Sequence, residues 1–76
     1  MTDVPETKPD TLGDALPREM ARVRDHVMPA YVETGASGAF ALAMMRRALD
    51  DAAKAMIEGD TLEMLRAYAA LKGFKV

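Results

Sequence analysis

The side chains able to do chemistry are few and scattered. His26 is the only histidine, and Asp25 adjoins it. Neighbours on a helix point about 100° apart, so the two cannot work as an acid–base pair. No HExxH-type spacing supplies further ligands around His26, so an ordinary surface or helix-end role is expected and no metal site. Gly35-Ala36-Ser37-Gly38 lies just ahead of a helical pattern, a place that attracts anions. It lacks the lysine and the preceding strand of a phosphate loop, and reads as a plain interhelical turn. Arg46 and Arg47 each have an aspartate four residues on, and Asp50 has Lys54, which is the spacing of solvated helix-surface ion pairs. No nucleophile–base pairing, paired carboxylates or cofactor fingerprint is present. The expected catalytic, cofactor and metal sets are therefore none, and a non-enzymatic protein is anticipated.

Two groups remain as candidates for recognition. Arg18, Arg22 and Arg24 are the best basic cluster and would carry any nucleic-acid contact, diluted by Glu19 and Asp25. Phe40, Ala41, Met44, Met45, Ala48 and Leu49 form a candidate protein interface. Phe40 projects near the polar side of its helix, either covering the adjoining loop or standing exposed as an anchor. Seven methionines in 76 residues fit core filling by flexible side chains, or an adaptable interface that accepts a partner helix.

These residues need a scaffold, and the apolar periodicity supplies one. Leu16, Met20, Val23, Val27 and Ala30/Tyr31 recur at steps of three and four, which predicts a first helix from near Asp14, with Asp14 capping and Pro17 in the first turn. Pro29 removes a hydrogen bond and crowds the preceding turn, so this helix should kink or restart near Met28. Thr34 to Gly38 should end it and cap the next. A second helix is expected over Gly38 to Glu58. Its seam of Leu42, Met45, Leu49, Ala52 and Met56 lies beside a smaller stripe of Ala41, Met44, Ala48 and Ala55. Together they give an apolar arc over half the circumference. Gly59 is the natural left-handed stop, and Asp60-Thr61-Leu62-Glu63 reads as an aspartate capping box. So short a link forces an antiparallel hairpin with a third helix running to about Lys72. That helix is expected to bury Leu62, Leu65, Tyr68 and Ala69. Gly73 should end it, with Phe74 folding back in a Schellman motif. The expected fold is all-α, a three-helix bundle over residues 14–76 behind a disordered acidic tail, 1–13.

Composition narrows the setting. No cysteine is present, so neither disulfides nor thiolate metal sites are available. Asp3, Glu6, Asp10 and Asp14 against Lys8 put −3 in the first 14 residues, leaving +1 for the rest. So neutral a body disfavours avid phosphate-backbone binding. No apolar run nears the ~20 residues of a membrane span, and the N-terminus lacks signal-peptide features, which makes the cytoplasm the expected location. A domain this small holds itself together by good helix caps or by burying further surface in an oligomer, and a homodimer is favoured.

The stretch from Leu16 to Gly73, with PREMARVRDH, GASGAFALAM and EGDTLEMLRAYAALKG, resembles a family of short uncharacterised helical proteins of bacterial and prophage genomes. The resemblance covers most of the expected ordered chain and implies a phage or accessory-gene setting. It assigns no functional residues, and Pro29 departs from its pattern.

Overall fold

The computed structural model describes residues 11–75, and these are all-α, with no strand among them. The elements are α1 (Leu12–Arg22), a π-helical turn (Val23–Val27), α2 (Met28–Val32), a 3-10 turn (Gly35–Gly38), α3 (Ala39–Glu58) and α4 (Thr61–Lys72).

α1 starts earlier than Asp14. Thr11 is its N-cap: the Thr11 hydroxyl oxygen accepts the Asp14 N–H at 3.2 Å and its proton goes to the Asp14 carboxylate at 2.9 Å. Thr11 and Asp14 are both competent caps, and the structure uses Thr11. Residues 11–13 therefore belong to the helical body rather than the tail, while the expected disorder of residues 1–10 falls outside the described residues. The earlier start also moves Pro17 from the first turn into the helix. It cannot serve the Gly13 carbonyl, but Gly13 is exposed and water can.

The disturbance ahead of Pro29 takes the form of the π turn. The Met28 N–H bonds to the Val23 carbonyl, five residues back, and α-helix resumes at Met28 with Pro29 in its first positions. Proline has no N–H and its ring presses on the carbonyl four residues before it, so a wider turn there relieves the crowding.

Gly59 terminates α3 in the left-handed conformation at φ 67°. The Gly59 N–H bonds to Met56 O and the Asp60 N–H to Ala55 O, the paired bonds of a Schellman motif. Asp60 then caps α4, its carboxylate accepting the Glu63 N–H at 3.2 Å. The capping box is only half formed. Asp60 N–H is already used by Ala55, and the Glu63 carboxylate accepts from Arg66 at 2.7 Å instead. The far end of α4 departs from expectation. Gly73 has φ −73°, so no Schellman motif forms, and Gly73 and Phe74 bond three residues back to Ala70 and Leu71.

α3 packs along α4, α1 rests on α4 and α3, and α2 lies against α3. The core joins Leu16, Val23 and Val27 to Leu42, Met45, Ala48 and Ala52 of α3, and to Ala67 and Leu71 of α4. α4 thus keeps the expected period with a different phase. It buries Ala67 and Leu71 and packs Met64 and Tyr68 against them, while Leu62 and Leu65 stay 57 % and 51 % exposed and Ala69 also faces out. Nearly every position of α4 from Met64 to Leu71 except Arg66 is apolar, so periodicity alone does not choose the buried face. No helix among the described residues is long and apolar enough to cross a membrane.

Candidate functional site

The proposed interface residues divide in two. Met45 and Ala48 are buried core, and Ala41 and Leu49 pack half-buried against it. Most of the wide apolar arc on α3 is covered by its own flanking helices. Phe40 and Met44 remain out, at 77 % and 48 % exposure. Phe40 thus stands in solvent and is not buried over the adjoining turn.

Beside Met44 a groove runs between the outer faces of α3 and α4, with a cavity of about 300 Å³. Its floor is apolar, from Met44, Ala48, Ala67 and Ala70, and Phe74 also lines it. Small side chains on both helices hold the floor low, while the rims carry charge. Arg47 pairs with Asp51 at 3.8 Å on α3, and Arg66 with Glu63 at 2.7 Å on α4. Both are exposed intrahelical pairs, worth little to stability and readily exchanged for other partners. Toward the Gly59 turn the groove becomes polar, where Lys54 and Glu58 join the rim.

The basic candidates behave differently from one another. Arg24 pairs with adjacent Asp25 at 3.0 Å, both exposed. That contact holds the Asp25 carboxyl below and the Arg24 guanidinium above their usual values. Arg18 is exposed. Arg22 is built into the structure. Its Nε and Nη2 donate to the two carboxylate oxygens of Glu19 at 3.0 and 2.9 Å, and Nη2 also reaches the carbonyls of Leu71 at 3.0 Å and Phe74 at 2.9 Å. Leu71 O lies in the last turn of α4 and Phe74 O just past it, at a helix C-terminus where a cation is favoured. Alongside, the Tyr31 hydroxyl donates to Lys75 O at 3.0 Å. A short strap, Gly73 to Lys75, is thereby tied to the first helical segment from two points, and Phe74 on it walls one end of the groove. Sequence offered no sign of this, because the partners lie 49 and 52 residues from Arg22 and are backbone atoms of any residue type.

The Arg22 hydrogen bond is the main cause holding the Glu19 carboxyl below 4.5; partial burial opposes it, and the charges of Arg22 and Lys72 add to it. A folded value below the unfolded one stabilises fully above pH 4.5 and is lost as pH falls through the folded value. Charge-assisted hydrogen bonds are worth about 1.5–3 kcal/mol, and solvent screening of side chains 18 % and 35 % exposed cuts this to about 1 kcal/mol. Urea midpoints should therefore decline below pH 4.5, and Glu19→Gln should flatten that decline. An unchanged slope in the variant would assign the acid sensitivity elsewhere.

The remaining candidates are local structure. His26 sits exposed in the π turn. At the 35–38 turn the hydroxyls point backwards: Thr34 donates to Tyr31 O at 2.7 Å and Ser37 to Thr34 O at 2.9 Å. The Thr34 bond closes α2, and neither hydroxyl caps α3, whose N-cap Gly38 has no side chain to accept from its first N–H groups.

Neither a scan of protein-family models nor searches of curated proteins and of solved structures matched this chain.

Proposed function

We propose that the protein is a non-enzymatic helical interaction module, a three-helix bundle bent at Pro29 that self-associates or takes a partner protein along the α3–α4 groove. The observation that carries the reading is an apolar floor between two capped, well-packed helices, with Phe40 and Met44 left uncovered beside it. Mixed-charge rims suit it to a helical segment, whose own charges can select a register while apolar side chains enter the groove. At about 300 Å³ the cavity lies at the lower limit for small-molecule sites, and the charged groups around it are paired along their own helices. Both points favour a macromolecular contact over chemistry on a small substrate.

The alternative of a small nucleic-acid-binding regulator has less support. It needs Arg18, Arg22 and Arg24 together, and Arg22 is occupied by Glu19 and two carbonyls.

Met44→Glu and Phe40→Ser test the proposal, since both positions are exposed and the helix should survive them. Sedimentation velocity from micromolar to millimolar concentration, with affinity capture in parallel, should show association in the parent that each variant weakens at least tenfold. Association that ignores both substitutions, or a strict monomer that captures nothing in a Met44-dependent way, would remove the groove from consideration.

A further inference from the structure

We infer that the strap Gly73–Lys75 is a releasable latch, and that Arg22 and Tyr31 set the length of the α3–α4 groove by holding Phe74 in its end. The inference rests on the groove being the binding surface and adds a way to regulate it. Three observations carry it. Phe74 belongs to the groove wall, yet its backbone is fastened on another side of the molecule, to the first helical segment. The strap lies beyond the last turn of α4; its Gly73 and Phe74 N–H groups bond back to Ala70 O and Leu71 O, but what ties it to the N-terminal helices is side chain to backbone, Arg22 to Phe74 O and Tyr31 to Lys75 O. Phe74 is only half-buried, packed against the core without belonging to its buried set.

Segments joined by few contacts open at lower free energy than the body they rest on. When the latch lets go, Phe74 leaves the wall and the apolar floor runs open past Ala70 and Met44. Phe74 is then an internal occupant of the groove end, and a partner that inserts an apolar side chain there competes with it. Arg22 is a positioning residue in this device. It touches no bound partner and acts through the strap.

Backbone ¹⁵N relaxation on the full chain tests the latch with no partner present. In the parent protein, residues 73–75 should show order parameters near the ~0.85 of rigid backbone, and in an Arg22→Met/Tyr31→Phe variant these should drop below ~0.6 with α3 unchanged. Methionine keeps the apolar stem but offers no donor to either carbonyl, and Glu19 retains access to water, so global folding is retained. The Met44 methyl resonance should shift in that variant, and in the same direction in Phe74→Ala. The latch is overturned if the strap is already mobile in the parent, if it stays rigid in the double variant, or if Met44 does not respond. A latch that passes while association ignores Met44 would separate this device from the binding role.

Discussion

Leu71→Ala should cost about 3 kcal/mol, the range for emptying a fully buried leucine site, and so remove most of the stability a domain of this size holds. Leu71 is wholly buried and belongs to the same core cluster as Val23, Val27 and Met45. A small domain holds only ~5 kcal/mol or so in reserve. Leu65→Ala, on the same helix and of the same chemistry, should cost well under ~1 kcal/mol because its side chain is half in water already. Urea unfolding followed by circular dichroism measures both. Comparable losses at the two positions would mean that α4 is rotated from the phase described.

Gly38→Ala is expected to be nearly as damaging, for a different reason. Gly38 is buried at the junction of the 3-10 turn and α3, and a Cβ there would land on the Thr34 hydroxyl and the Tyr31 carbonyl oxygen. Those two atoms are hydrogen-bonded to each other, so the methyl would have to break their bond or push the backbone apart. Overpacking costs about 1–3 kcal/mol and a lost hydrogen bond about 1, for a total of about 2–4. At roughly 4–8 °C per kcal/mol in a domain of this length, Tm should fall by at least ~8 °C. Gly35 makes the control. It needs its glycine only for φ 67°, with open space around it, and Gly35→Ala should cost about 1 kcal/mol. Equal effects at the two glycines would show that backbone conformation, and not close approach, governs this turn.

What the sequence disclosed depended on how local the cause was. Gly59 and Asp60 announce the α3–α4 link because a left-handed stop and an aspartate cap are properties of single residues and their immediate neighbours. The length of α3 follows from the same two residues and from Gly38. The start of α1 was not decidable that way. Thr11 and Asp14 both cap well, and which one does so depends on how the first turn meets the rest of the chain. α4 is apolar on too many sides to betray its inward face, so Leu62 and Leu65 were assigned to a core that Met64, Ala67, Tyr68 and Leu71 occupy. Among the residues offered as an interface, Phe40 and Met44 are exposed while Met45 and Ala48 are buried core, a division the sequence did not make because burial is a tertiary fact. Arg22 is the hardest case. An arginine three residues from a glutamate looks like any surface pair, and nothing about it foretells two backbone carbonyls at the other end of the chain.

The two-residue junction at Gly59 and Asp60 has a consequence for the order in which the chain assembles. Contacts across it join residues close in sequence, so their loop-closure entropy is small, whereas Arg22 must find carbonyls some fifty positions away. We expect the α3–α4 pair to collapse first and the N-terminal segment to dock onto it afterwards, with the local pairing giving refolding on the microsecond-to-millisecond scale.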